Sequence, residues 1–430
     1  MEMRAWSSTR RALLCFLIFL LAAPPHIAAY SVLSHETVID AAWKTDLRPL
    51  LLQRFPDSTG DELRKAHAYA YGGAIIQDLG YYPHGSKLFS DLTHYVRSGD
   101  FVQALLHDAQ DLYEYAFALG ALAHYAADNE GHRLAVNVSV PVLYPQLKKK
   151  YGDVVTYEQD PAAHLKTEFG FDVLEVAKGH FAPDAYREFI GFEVSQSLLD
   201  RAFRETYGLE LASLLDNEGR AIGSYRHVIS STIPKATRVA WALKKNEIER
   251  STPGITRKRF LYNISRASYR RKWGKDYRAP SAGEKFLAFL FRLIPKIGPL
   301  KALALRTPTP QTEQMFEASF NATLAQYRRL LKDYGQGRLT LINDNFDVGA
   351  VTAPGEYRLS DNAYASLLGR LYKQNFAGMS PDLREEILRF YRDPAAPYAT
   401  RKDRKAWARV EEELQRLREI QPESRAAEAP

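Results

Sequence analysis

Histidine and acidic side chains recur at four-residue intervals in two neighbouring segments of the chain. His124, Asp128 and His132 form the first set, and His164 and Glu168 form the second. Because an α-helix turns once in about 3.6 residues, positions i, i+4 and i+8 lie on one helix face. Each segment would therefore present a converging set of imidazole and carboxylate groups, which are the donors that a zinc-type cation requires. The alternative interpretation is surface charges and hydrogen-bonded core histidines, because one such spacing is common by chance.

The first 29 residues have the features of a secretory signal. Three arginines precede the apolar run Ala12–Ala23, two prolines follow it, and small residues end the segment at Ala29. The run is shorter than the about 20 residues that a transmembrane helix needs. We therefore expect export with cleavage after Ala29, and an uncleaved membrane anchor is the alternative. Cys15, the one cysteine, lies in this segment, so the mature chain would have no thiol and no disulfide.

Further candidate ligands precede the two helical sets, in loop-rich sequence and just after the signal. In chain order the candidates are the mature N-terminus at Tyr30, His35, Asp78, His94, His124, Asp128, His132, His164 and Glu168. This order resembles that of the secreted zinc-dependent phospholipase C family and its relatives, the zinc-dependent single-strand nucleases, over about residues 30–207. The resemblance implies a multi-helical domain that binds three zinc ions and hydrolyses phosphate esters.

The resemblance also implies a role for each position. One zinc would be bound by the amine and carbonyl of Tyr30 and by His35. The second would be bound by Asp78, His94, His124 and Asp128, with Asp128 bridging two metals, and the last by His132, His164 and Glu168. Asp78 would be both a ligand and the candidate general base. The chain differs from familiar members in its N-terminal Tyr, where Trp is usual, and in the four-residue gap from Asp128 to His132, where about six is usual.

Apolar residues at three- and four-residue intervals predict helices through most of the chain. The predicted helices are Pro49–Phe55, Asp61–Tyr71, Phe101–Ala127, Pro161–Ala177, Ala185–Phe203, Ser224–Arg250, Glu284–Ile294, Gln311–Tyr334, Asn362–Lys373 and Ala406–Ile420. The best strand candidate is Arg338–Ile342. The fold class is therefore predicted to be mainly α: a signal at 1–29, a zinc phospholipase C-like domain at 30–250, a helical C-terminal region at 251–420 and a disordered tail at 421–430.

Two segments of the sequence point to different substrates. Basic residues alternate with Tyr262, Tyr269 and Trp273, which could stack on bases or belong to a solvated linker. The apolar segment Glu284–Leu305 could contact a membrane surface or form a buried, proline-interrupted helix. A net charge of +7 over 430 residues suits phospholipid headgroups or nucleic acid equally.

The nuclease branch usually relies on disulfides, which this chain cannot form. This difference favours a phospholipid substrate. We therefore predict a secreted phospholipase C-like hydrolase with a peripheral membrane contact. The alternatives are a single-strand nuclease or nucleotidase on the same metal core, and a non-catalytic binding protein that zinc stabilises. The sequence does not predict an oligomeric state.

Overall fold

The computed structural model describes residues 32–178, 192–215, 217–227, 246, 249, 306 and 308–420. Several predicted features lie outside these residues: the signal segment with Tyr30, the basic and aromatic stretch, the apolar segment Glu284–Leu305 and the tail. Among the described residues the chain is helical, and β pairing is limited to an isolated bridge between Asn345 and Ala350. The mainly α fold predicted from the sequence is therefore confirmed.

The helices before residue 228 surround one long central helix. They are α1 (Val32–Ala42), α2 (Arg48–Arg54), α3 (Gly60–Ile75), α4 (Lys87–Tyr95), α5 (Ser98–Asp108), the central α6 (Leu112–Gly131), α7 (Asn137–Leu143), α8 (Pro145–Tyr151), α9 (Pro161–Lys178), α10 (Gln196–Tyr207) and α11 (Glu218–His227). A 3₁₀ turn, Ile76–Tyr81, follows α3, and a π-helical turn, His132–Val136, follows α6.

The helices after residue 309 are longer and fewer. They are α12 (Pro310–Gly335), α13 (Arg358–Lys373), α14 (Pro381–Phe390) and α15 (Arg404–Glu419). Among the described residues, none of the helices combines the length and the apolar content that a membrane crossing would need.

Three of the predicted elements differ in the structure. Of the predicted helix Ala185–Phe203, residues 192–195 are described but not helical, and α10 begins at Gln196. The predicted helix Phe101–Ala127 is two helices, because the Asp111 carboxylate accepts hydrogen bonds from the backbone N–H groups of Tyr113 and Glu114 and so begins α6. The Arg338–Ile342 segment, the best strand candidate, forms no strand and pairs with no described strand. Its Leu341 N–H instead donates to the Gln103 side chain at 3.1 Å.

Close packing of α3 against α6 brings the first metal-ligand candidates together. The two helices approach at Gly73 and Gly120, where a Cβ atom would overlap with the backbone oxygens of Phe117 and Ala70 respectively. This approach brings the end of α3, and hence the 3₁₀ turn that carries Asp78, against the middle of α6. The contact explains why both helices have glycine at the crossing.

The C-terminal helices share the core of the N-terminal helices. Helix α12 packs along α6, and the buried Tyr327 hydroxyl donates to the Leu119 carbonyl oxygen at 2.8 Å. Helix α13 packs against α4. The segment 336–357 between α12 and α13 therefore lies over the C-terminal end of α6, and its Phe346 ring is completely buried.

Candidate metal centre

Eight of the nine predicted ligands converge in the interior of the domain, and the ninth, Tyr30, lies outside the described residues. The eight come from six elements: His35 from α1, Asp78 from the 3₁₀ turn, His94 from α4, His124 and Asp128 from α6, His132 from the π-helical turn, and His164 and Glu168 from α9. All eight are buried. Seven of them, together with Asp347, form three buried groups whose donor atoms lie within 4.8 Å of one another, and His124 belongs to two of these groups. Glu168 lies beside the third group.

Asp128 is the centre of the arrangement. Its Oδ1 atom lies 3.3 Å from His35 Nε2. Its Oδ2 atom lies 3.3 Å from His94 Nε2 and 3.2 Å from His124 Nε2. The two oxygens thus face different groups of imidazoles, which is the geometry of a carboxylate that bridges two cations.

The second group is oriented by backbone hydrogen bonds. The Nδ1 atoms of His94 and His124 lie 2.8 Å and 2.9 Å from the carbonyl oxygens of Ser90 and Ala74. Each ring can therefore donate from Nδ1 to a backbone carbonyl and offer the Nε2 lone pair to a metal. The Nε2 atoms of His94 and His124 are 3.3 Å apart. The Oδ1 atom of Asp78 is 3.4 Å from the Nε2 atom of His94.

The third group contains a residue that the sequence did not indicate. Glu168 Oε1 lies 3.3 Å from His132 Nε2 and 2.8 Å from His164 Nε2. Asp347, from the segment between α12 and α13, brings its Oδ1 atom within 3.7 Å of His164 Nε2. No spacing connects Asp347 with the helical ligands. The one available signal is the run of amide and acidic residues at positions 343–347.

His132 lies one ordinary α-helical turn after Asp128, at the end of α6. The turn that begins at His132 is π-helical, a rare geometry that is common at functional sites. His132 Nδ1 lies 3.1 Å from the Phe346 carbonyl oxygen. That contact turns Nε2 toward Glu168, so His132 lies in the third group despite the unusual spacing.

The donor geometry fits zinc. Donors of a tetrahedral zinc site lie about 2.0–2.2 Å from the ion, so neighbouring donors are about 3.4 Å apart. The nitrogen–oxygen distances from Asp128 to His35, His94 and His124, from Asp78 to His94 and from Glu168 to His132 are 3.2 to 3.4 Å. The distance from Glu168 to His164 is shorter, 2.8 Å, and that from Asp128 to His132 is longer, 4.0 Å. Both oxygens of Asp128 and Glu168, and one of Asp78 and of Asp347, nevertheless accept no hydrogen bond. Buried carboxylate oxygens are costly without compensation, and a cation between them and the neighbouring imidazoles would provide it.

The buried carboxylates and imidazoles shift one another's pKa values. Burial opposes ionisation of Asp128, but His124 and His132 hold its pKa well below the usual value. Burial likewise disfavours the charged form of His132, yet Asp128 and Glu168 raise its pKa to about 10, and Asp128 and Asp78 raise that of His94 to about 9. The pKa of His35 is lowered by burial and by His124. The site therefore favours ionised carboxylates, as a cation site requires.

Two further features surround the groups. The Asp172 carboxylate, one turn after Glu168 on α9, accepts hydrogen bonds from the N–H groups of Leu33 and Ser34 at 3.0 Å, which fixes the start of α1 and thus His35. Tyr81 and Tyr157 have ring centroids 5.7 Å apart and keep 7% and 9% exposure, more than the ligand candidates. Their rings contact His94 and His164.

Comparison with known proteins finds one family model that is similar to the region of this centre. Residues 34–217, somewhat less than half of the chain, match the family model described as zinc dependent phospholipase C. The match includes all eight described ligand candidates of the sequence, but neither Tyr30 nor Asp347. No curated protein and no solved structure matches the chain. Residues 34–217, which carry the eight described ligand candidates, are therefore similar to the zinc-dependent phospholipase C family.

Proposed function

We propose that the protein is an exported zinc-dependent phosphoesterase that hydrolyses phospholipids in the manner of a phospholipase C. The observation that carries the proposal is the set of three buried donor groups around Asp128, whose members other than Asp347 lie inside the region that matches the family. A structural zinc would need a single group of four donors. Three adjacent groups suit the close clamp of cations that stabilises a phosphate during displacement.

Most of the site residues would bind cations, and Asp78 would also move a proton. Bound zinc ions would neutralise phosphate oxygens and activate the attacking water. Asp78 is the candidate general base as well as a ligand, because its Oδ1 atom is buried, accepts no hydrogen bond and lies beside His94. Tyr81 and Tyr157 border the second and third groups on their less buried side. We expect these rings to contact the substrate next to its phosphate.

Phospholipid is the substrate that the family match favours. The nuclease alternative rests on the basic and aromatic stretch around Tyr262, which lies outside the described residues. Against it, the chain contains one cysteine and cannot form an internal disulfide. A peripheral contact with the membrane surface follows from a phospholipid substrate and belongs to the same proposal, as does export.

A side-by-side assay tests the substrate. The protein, exported from a host with its own N-terminal segment, would be incubated with phosphatidylcholine vesicles and with single-stranded DNA. We expect release of a phosphorylated headgroup, loss of that activity in His164→Ala, and its retention in His107→Ala, whose side chain is 83% exposed. Cleavage of DNA alone would favour the nuclease alternative. Bound zinc with neither activity would favour the non-catalytic alternative.

A further inference from the structure

Asp347 reaches the third donor group from a part of the chain outside the family match. It lies between α12 and α13, 130 residues beyond the end of the matched region. Its residue exposure is 2%. The Oδ1 atom lies 3.7 Å from His164 Nε2 and 3.8 Å from His132 Nδ1, and together these three residues form a possible cation site.

The two oxygens of Asp347 have different surroundings. Oδ2 accepts hydrogen bonds from the Tyr157 N–H at 2.9 Å and from the Tyr357 hydroxyl at 2.6 Å. Oδ1 is buried and accepts none. The donors to Oδ2 fix the carboxylate plane so that Oδ1 faces the imidazoles. This is the usual arrangement in which outer-shell donors orient a metal-binding carboxylate.

The backbone around Asp347 is anchored on both sides. The Asn345 side chain accepts from the Asp347 N–H at 3.0 Å, and the Asp347 carbonyl accepts from the Asn137 side chain on α7. The Phe346 N–H donates to the His94 carbonyl at 3.1 Å, while its own carbonyl orients His132. Asp347 is therefore held by α7 and, through Phe346, next to His94 and His132.

We propose that Asp347 is a ligand of the zinc bound by His132, His164 and Glu168. This inference rests on the proposed zinc centre and extends it. Oδ1 would give that ion a fourth protein donor, which is the closed coordination typical of tetrahedral zinc. The segment between α12 and α13 would thus complete the metal centre, and the ions at Asp128 would be the ones left open to substrate.

A cysteine substitution provides a test that a purely structural role would not pass. Asp347→Cys would be loaded with Co²⁺ and its absorption spectrum recorded, with Asp344→Cys as the matched control. Asp344 lies in the same segment and is half-buried, but its carboxylate bonds to the Tyr125 hydroxyl instead of facing the site. We expect a thiolate-to-cobalt charge-transfer band in the near ultraviolet for Asp347→Cys only. Equal spectra for the two variants and the unsubstituted protein would overturn the proposal.

Zinc affinity provides the second measurement, and it decides the matter if the cysteine variant does not fold. Asp347→Asn preserves the shape of the side chain but removes its charge. We expect its weakest zinc to dissociate more than about a hundredfold more readily than in the unsubstituted protein, whereas Tyr357→Phe, which removes only an outer-shell donor, should lose about ten- to a hundredfold. Unchanged zinc content and affinity in Asp347→Asn would overturn the Asp347 inference alone. An unsubstituted protein that binds no zinc would overturn the proposed function as well.

Discussion

Replacing Asp128 with Asn should remove two zinc ions with one substitution. The change preserves the volume of a fully buried side chain but replaces a carboxylate whose two oxygens face different imidazole groups. The amide nitrogen cannot bind a cation, and the remaining oxygen can face one group only. The matched variant is Glu168→Gln, because Glu168 is equally buried but contacts the third group alone.

The expected magnitude follows from linkage. A site whose ligand is present at a thousand times its dissociation constant stabilises the folded state by about 4 kcal/mol. Three occupied groups would therefore add about 12 kcal/mol. Asp128→Asn should retain about a third of that increment, and Glu168→Gln about two thirds.

The assay compares chemical denaturation in excess zinc and in chelator for the two variants and the unsubstituted protein. Zinc content by elemental analysis should fall in the same ratio, from about three ions per chain. The bridging role of Asp128 would be refuted if both variants lost the same number of ions and the same increment of stability.

Three further outcomes are expected. His124→Ala should abolish hydrolysis and lower thermal stability, because metal binding adds to folding energy, whereas His107→Ala should do neither; equal effects in activity and melting assays would mean that the wrong histidines were chosen. A cytosolic protein that retains Met before Tyr30 would move the amine by about 3.5 Å, so it should lose one zinc and at least about tenfold in turnover; full activity would exclude N-terminal coordination. Phe346→Ala should lower the free energy of unfolding in urea by about 3–5 kcal/mol because it leaves a cavity. Ile342→Ala, on an exposed side chain, should lower it by less than about 0.5 kcal/mol. Similar values for the two variants would show that the segment does not pack as described.

The sequence was informative where ligands share a helix. The four-residue spacing of His124 and Asp128, and of His164 and Glu168, predicts that each pair lies on one helical face, and the structure places each pair together. His35, Asp78 and His94 come from three separate elements, so their convergence followed from the family resemblance and not from periodicity.

The remaining features depend on tertiary contacts that no local pattern records. Asp347 is brought to the site by the packing of α12 on α6, across a large separation in sequence. The break between α5 and α6 follows from a side-chain cap at Asp111 that outweighs the continuous apolar pattern. The strand predicted at 338–342 is wrong, because Leu341 bonds to the Gln103 side chain and no neighbouring strand is described.

The central claim is that histidine and carboxylate groups joined at Asp128 bind several zinc ions. The most direct test is anomalous X-ray scattering at the zinc absorption edge from crystals of the protein purified without chelator. We expect three anomalous peaks: one beside His35 and Asp128 Oδ1, one among Asp78, His94, His124 and Asp128 Oδ2, and one among His132, His164 and Glu168. Crystals of zinc-replete protein without a peak at Asp128 would contradict the account.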